Sequence, residues 1–587
     1  MKTNGQIIQS MFRKSLLVMI FSTITATIGM VVDGVIIGKL LGVDAMAAYG
    51  LAMPAFIVIT AVGGILTSGV QALCAEKMAQ GKMEEANQVF SMTCIAAIAF
   101  SLLLMVFLLP LSDPVAKLLG ASGNSAYLLS DTSMYLRGLA FGVPAMLLSC
   151  SLQPIMQLDS DRVRVMIAVV VMTLVNILGD IVNVFVIHGG MFGMAMATSV
   201  SYFVGLGVHL LHFRKKTAVY RFKFSGINFA ILRDILVIGV PTAITRVCNT
   251  LRTLVLNNML IALSGTAAVA ALSVQSNMNN LLGALAIGVG SAVLMISGVV
   301  VGEEDRTSAK VLVKTALVEG FVLSTILAAV LFVAAPAAVS VYVQDAPETA
   351  ALAVKSVRYF AFSMPLHVVG MVLLNFLQGS RNTTLANIVT FGADFVLVIV
   401  AALALTPLLG TDGVWAAFPV GKALMLPLIF GLAWLFHKRM PKKAEDFLFL
   451  SDDFDVPEGN KIEARACEMS HVVEMSEKAR NFCAAKGIED KRAYYVALCI
   501  EEMAGNIIRY GFSDGKAHSI DLRLLIKGDE LIVRLRDDCQ AFDPQKWLSI
   551  HEPEDPYANI GIRMVNSIAK SFEYMNTLET NNLLIKL

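Results

Sequence analysis

Acidic side chains inside apolar stretches are the first residues in this chain that call for a chemical reason. Asp33 lies in an apolar run that continues to Leu41, and Asp180 lies in another, four residues after Asn176. A charged carboxylate at bilayer depth costs at least about 2.5 to 3.5 kcal/mol, so such a residue faces water, pairs, or takes up and releases a cation. Residues i and i+4 share a helix face, about 6 Å apart along the axis, so Asn176 and Asp180 present an amide and a carboxyl together. Thr198, in the next apolar run, adds a neutral hydroxyl. Two carboxyls with neutral oxygens suit a proton or a hard cation such as Na⁺, and residue types alone do not choose between them. Further along, Arg246, Asn249 and Arg252 put two cations and an amide into one apolar span, where they either pair with carboxylates or meet an anionic part of a substrate.

A second set of candidates lies near the C-terminus. Val496, Leu498, Ile500, Met503 and Ile507 mark a buried helix that nevertheless carries Glu501, Glu502 and Asn506. The alternating segments Ile520–Ile526 and Leu531–Leu535 predict two strands joined at Lys527–Glu530, followed by Asp537-Asp-Cys-Gln-Ala-Phe-Asp-Pro544. A helix is expected over 461–486, another from Asn559 to about Ala569, and a strand ending at Leu587.

These residues need two different settings, and composition supplies them. The 587 residues are 56% hydrophobic and 16% charged, with mean hydropathy +0.70. That is too apolar for one water-soluble globule, and it excludes a disordered scaffold or a secreted disulfide domain. Before residue 441 there are 27 Lys/Arg and 19 Asp/Glu; after it, 19 and 26. The net charge of +1 is therefore a basic membrane part offset by an acidic C-terminal part, and nucleic acid is not an expected partner. All eight cysteines read as reduced thiols, since none shows CxxC or Cys/His ligand spacing.

A helix crosses the hydrocarbon core in about 20 residues. Twelve spans are predicted: 15–41, 46–79, 87–110, 133–157, 162–187, 190–212, 231–262, 267–300, 310–334, 355–378, 383–408 and 412–437. With the N-terminus inside, one set of loops carries most Lys/Arg, including Arg214, Lys215, Lys216, Arg221 and Lys223. The other set holds Lys39, Lys117, Arg137, Lys355 and Arg358. That asymmetry predicts a multi-pass cell-membrane protein, bacterial, with both termini cytoplasmic. The segment Gly42–Leu51 matches Gly265–Val274 at an offset of 223. The halves thus read as a same-direction repeat: bundles at 1–212 and 231–440 joined by a basic linker at 213–230, with the central cavity between them. A linker at 441–460 leads to the C-terminal domain at 461–587.

Several motifs carry a resemblance. Asp33-Gly-Val-Ile-Ile-Gly-Lys-Leu-Leu-Gly42 with Pro54, Asn176-Ile-Leu-Gly-Asp180 with Gly189-Gly190, Gly193 and Met196-Ala-Thr198, and Gly239-Val-Pro241 resemble the multidrug and toxic compound extrusion (MATE) family over about residues 10–440. The resemblance implies a twelve-helix antiporter in two six-helix bundles, moving small organic, cationic or amphipathic compounds across the bilayer against H⁺ or Na⁺. It also implies that Asp33, Asn176, Asp180 and Thr198 form its cation site. In the second half Asp394 falls opposite Thr173 rather than Asp180, so the coupling acids are expected in the first half.

The C-terminal order resembles the ATP-binding domain of histidine kinases, gyrase-type ATPases and anti-sigma-factor serine kinases, an α/β sandwich. Glu502-Met-Ala-Gly-Asn506 followed by Tyr510-Gly511-Phe512 is similar to its N box. The likeness implies that Asn506 ligates nucleotide-bound Mg²⁺, Glu502 is a general base, Asp537 accepts from the adenine of ATP, and Gly561 lets a helix N-terminus approach phosphate. Cys539, Ala541 and Asn559 stand where that family often has glycine. The principal reading is a gradient-driven exporter with a nucleotide-binding regulatory or kinase domain. One alternative is a membrane-tethered serine/threonine kinase or anti-sigma-like switch with a protein phosphorylation target, and another is a lipid-linked glycan flippase. ATP as direct fuel is disfavoured, because the chain has no Walker A sequence.

Overall fold

The computed structural model describes residues 5–121, 126–215, 218–223, 228–343, 346–550 and 560–587. The first half comprises α1 (Gln6–Ile36), α2 (Val43–Ala79), α3 (Met83–Leu118), α4 (Ala126–Leu158), α5 (Arg162–Val182) and α6 (Gly190–Phe213). The second comprises α7 (Phe229–Leu282), α8 (Ala284–Gly302), α9 (Arg306–Ser340), α10 (Pro347–Gly379), α11 (Thr383–Phe391), α12 (Leu397–Leu409) and α13 (Thr411–His437). Together they supply twelve helical segments long and apolar enough to cross a membrane. Lys216 of the basic linker lies outside the described residues.

The repeat is visible in the backbone. Gly42 (φ 97°) and Gly265 (φ 66°), the matched pair in sequence, both take left-handed conformations where the second span of each half begins. Only glycine enters that region without a Cβ penalty. Ser160 and Arg381 (φ 57° and 60°) repeat the pattern after the fourth span of each half. Several span limits differ from expectation; span 3 ends at Leu118 rather than 110, and span 10 begins at Pro347 rather than 355. Span 7 runs on to Gly265 without an intervening loop, and span 1 begins near Gln6 rather than residue 15. Asp33 is therefore not in the middle of its span: it lies three residues before α1 gives way to a wide turn at Ile37–Leu41.

Small residues permit close helix approach. Ser199 of α6 donates to the Gly138 carbonyl of α4 at 2.7 Å. A wide turn at Asn183–Ile187 ends span 5. There Asn183 accepts from the Gly189 amide (3.1 Å) and donates to the Gly190 carbonyl (3.0 Å), while its amide packs against Gly193 so closely that a Cβ would overlap it. The glycines of that motif thus pin the loop between spans 5 and 6.

The C-terminal domain is a five-stranded antiparallel sheet in the order β1-β2-β3-β5-β4: β1 (Lys461–Ala466), β2 (Ile520–Lys527), β3 (Glu530–Asp537), β4 (Ser571–Thr577) and β5 (Thr580–Lys586). One face packs on α14 (Met469–Ala485), α15 (Asp490–Asn506) and α17 (Ile560–Ile568); α16 (Pro544–Ile550) lies beside β4. The helix expected over 461–486 is corrected at its start. Residues 461–466 form β1, because the unpaired edge of β2 offers ladder hydrogen bonds that a solvent-facing helical turn does not. The final strand is a hairpin turning at Leu578 and Glu579, both at positive φ.

The stretch read as a 441–460 linker is packed. Leu448, Phe449 and Leu450 are buried against the bundles, and Arg306 donates to the Phe454 carbonyl at 3.1 Å. The domain therefore sits against the bundle ends. Replacing Gly193 with Ala should displace the Asn183 amide and cost about 1 to 3 kcal/mol, as overpacked sites do. A matching fall in the thermal midpoint of the purified full chain would be the readout.

Candidate functional site

The first-half candidates come together at the ends of α1 and α5 away from the C-terminal domain. Asp33 is 6% exposed and Asp180 0%. Their carboxyls lie close enough to interact. Asp33 Oδ1 and both Asp180 oxygens nonetheless make no hydrogen bond of acceptable geometry among the described residues. Asn176 donates to Thr198 Oγ1 at 3.4 Å, and Thr198 donates on to the Met194 carbonyl at 3.4 Å. The four predicted residues thus lie near one another on α1, α5 and α6, and among the described residues no protein cation forms an ion pair with Asp33 or Asp180. Two desolvated carboxyls side by side cannot both stay charged unless a cation joins them.

The second half is built differently. Asp394, in a wide turn at Gly392–Val396, forms an ion pair with Lys422 of α13. Arg252 donates to the Asp394 carbonyl at 2.9 Å and lies over the Phe418 ring at 5.4 Å. Of the three residues offered for a substrate cavity, Arg252 therefore braces the second bundle. The Asn249 carbonyl accepts from Thr253, one turn further along the same helix, at 2.9 Å. Arg246 is exposed; its carbonyl accepts from Thr250 at 3.1 Å, while its guanidinium makes no hydrogen bond or ion pair among the described residues and lies near Gly64 of α2, in the other half. Sequence reading missed Lys422, although a lone charge within an apolar span is the same signal that found Asp33.

The gap between the halves closes at one end. Gln71 donates to the Ser291 carbonyl (2.9 Å), Ser68 and Thr242 share a hydrogen bond (2.8 Å), and Arg381 donates to Glu76 (2.6 Å). A Cβ at Gly298 would lie 2.7 Å from the Ala75 Cβ, so α2 and α8 touch there. These contacts lie toward the C-terminal domain.

In the C-terminal domain Asn506 ends α15, and Glu502, one turn earlier, abuts Gly561 so closely that a Cβ there would strike its carboxylate. Asp537 ends β3, buried. It accepts from the Cys539 amide (3.0 Å) and from Asn581 Nδ2 (2.7 Å). Burial holds its carboxyl above the usual carboxylate range, against the pull of those donors. The residue types fit a nucleotide: Asp537 is a fixed, buried acceptor at the end of β3, Asn506 offers an amide oxygen at the end of α15, and Gly561 stands at the start of α17 against Glu502. Asn559 lies outside the described residues. Burial would lower the His518 imidazole, but hydrogen bonds to Asp514 (2.7 Å) and Asp538 (3.2 Å) outweigh it and raise it above its ordinary value.

The MatE family profile matches residues 19–182 and 241–403. The chain belongs to the MATE family. A histidine kinase-like ATPase domain profile matches residues 466–586. This MATE protein is 24% identical over 413 residues to a multidrug export protein, MepA, of Staphylococcus haemolyticus, covering 70% of this chain and 89% of the relative. Staphylococcus aureus MepA (strain COL) matches at 24% over 241 residues, 41% of this chain and 53% of the relative. Among solved structures, an outward-facing multidrug resistance MATE transporter superposes with TM-score 0.68 at 21% identity, over 73% of this chain and 96% of that one. The Vibrio cholerae MATE transporter VcmN, as a mutant, superposes with TM-score 0.69 at 18% identity, over 76% of this chain and all of that one.

Two outcomes follow from this geometry. Lys422→Met strands a buried carboxylate and should cost about 3 to 5 kcal/mol, whereas Asp394→Leu with Lys422→Met should recover most of that loss; thermal unfolding of the three proteins in nanodiscs compares them. A raised His518 means that its pairing stabilises the C-terminal domain below its ordinary titration range and is lost as pH rises through the shifted value. Hydrogen exchange of residues 514–520 should therefore quicken from pH 6 to pH 8 beyond the intrinsic rate increase, and the excess should vanish in His518→Gln.

Proposed function

We propose that this MATE-family protein is an exporter of small organic, drug-like compounds, driven by H⁺ or Na⁺ and working by alternating access in a bacterial cell membrane with both termini in the cytoplasm. The observation that carries the reading is the contrast between the halves. Asp394 is neutralised by Lys422, while Asp33 and Asp180 lie buried together with no ion-pair partner among the described residues. A site of that kind binds a cation from one side and releases it when the other side is exposed, because desolvation makes the empty doubly charged state costly. Asn176 and Thr198 add neutral oxygens at the pocket edge. Arg246, open to the cleft, meets an anionic part of an amphipathic substrate; Asn249 lies along the same helix.

The C-terminal domain is proposed to bind ATP with Mg²⁺ and to modulate transport. Asn506 would hold the ion bridging the phosphates, Asp537 the adenine amino group and Gly561 the phosphate-facing helix start. Bound Mg²⁺ supplies charge neutralisation of the phosphates. Glu502 stands where a general base for a hydroxyl or water is wanted, and its fixed place against Gly561 keeps it at that end of the pocket.

Proteoliposomes loaded with ethidium and given an imposed ΔpH or ΔNa⁺ test both parts. Efflux should follow one of the gradients, and Asp33→Asn should reduce it at least tenfold with nucleotide binding intact. Efflux should persist without ATP at an altered rate. Export by Asp33→Asn at the parent rate would remove the coupling role, and export strictly dependent on ATP would remove the modulatory one.

A further inference from the structure

The outer face of the C-terminal sheet is studded with arginine, and its partners lie on the transporter. Arg534 pairs with Glu303 (2.9 Å) and Asp305 (2.6 Å) in the α8–α9 loop, Arg536 pairs with Glu303, and Asn582 donates to Glu303 at 2.5 Å. Arg523 donates to the carbonyls of Glu303 (3.2 Å) and Glu304 (3.1 Å). Burial would raise the Asp305 carboxyl, yet Arg534 and Arg523 hold it well below the usual range. All of these contacts belong to the second half of the transporter.

The β4–β5 hairpin reaches the first half. Thr577 donates to the Leu158 carbonyl (3.0 Å), Ser160 donates to Asn576 (2.8 Å) and accepts from the Glu579 amide (2.8 Å), and Arg162 donates to the Leu578 carbonyl (3.0 Å). One rigid sheet thus grips the α4–α5 loop of one bundle and the α8–α9 loop of the other. Beneath it the two bundles touch through Arg381–Glu76 and Gly298–Ala75. The two halves cannot part at this end while both grips hold.

From this geometry we propose that the C-terminal domain is a strap across the closed end of the cleft, and that this end opens only when the domain releases one of its two grips. The proposal rests on the alternating-access reading of the two bundles. It also gives the nucleotide pocket a route to the gate: Asp537 is held by Asn581, whose Oδ1 accepts from Asn576 (2.9 Å), which in turn accepts from Ser160 of the transporter.

The test uses the full chain in nanodiscs without substrate or gradient, so it can fail while export stands, and the converse. Cys467, the exposed thiol among the eight, is replaced by Ser, and spin labels are placed at Lys82→Cys in the α2–α3 loop and Thr384→Cys at the start of α11. Double electron–electron resonance should give mainly one short distance in this parent. Arg536→Glu should raise a longer-distance population at least threefold, and Arg536→Lys, which keeps the positive charge beside Glu303, should stay near the parent level. Ser160→Ala with Thr577→Val, which loosens the other grip without touching charge, should also raise it. Unchanged distances in both loosened variants, or a rise in Arg536→Lys as large as that in Arg536→Glu, would overturn the strap.

Discussion

Charge in a low-dielectric setting must be paired or must exchange, and most of this molecule follows from that constraint. Inside the bundles it divides the carboxylates into two kinds. Asp394 is permanently matched by Lys422 and by the helix packing around Arg252, so it is part of the scaffold. Asp33 and Asp180 lie buried near each other and, among the described residues, have no ion-pair partner. The asymmetry between halves that share a backbone repeat is therefore one of side-chain pairing rather than of fold.

The same constraint shapes the join between membrane and C-terminal parts. Arginines on an exposed sheet face would be unremarkable, but here they are buried, and they are satisfied by Glu303 and Asp305 of the transporter. Breaking one member of such a set leaves an uncompensated buried charge, which is why the contact is selective as well as adhesive. A domain held this way is positioned by chemistry on both bundles, with a packed 441–460 segment in place of a slack tether.

Much of the fold was legible in the sequence. Twelve apolar runs, the 223-residue offset and the alternating strands arise from local periodicity and from the backbone needs of turns, and these act whatever lies around them. Gly42 and Gly265 were matched as letters and proved to share a left-handed conformation. Asp33, Asn176, Asp180 and Thr198 were readable as a group because a polar residue in an apolar span is conspicuous, and their meeting in one pocket needed only helices packing in the expected order. The error fell where an edge decided the outcome, β1 in place of a helical start; contacts likewise decided what local sequence left open, that the 441–460 linker is packed and that Arg252 takes the bracing alternative of the two it was given.

The sequence by itself determined which segments are long and apolar enough to enter the bilayer, which polar residues lie within them, and that a histidine kinase-like ATPase type of domain follows them, because hydropathy, spacing and motif are properties of the chain taken locally. Only the tertiary structure decided which charges are spoken for. Whether Asp394 is free or bound to Lys422, whether Arg534 and Arg536 face water or Glu303, and which end of the cleft is closed all depend on residues tens to hundreds of positions apart meeting within about 3 Å. Electrostatic pairing at that range is set by packing, and local sequence does not encode it.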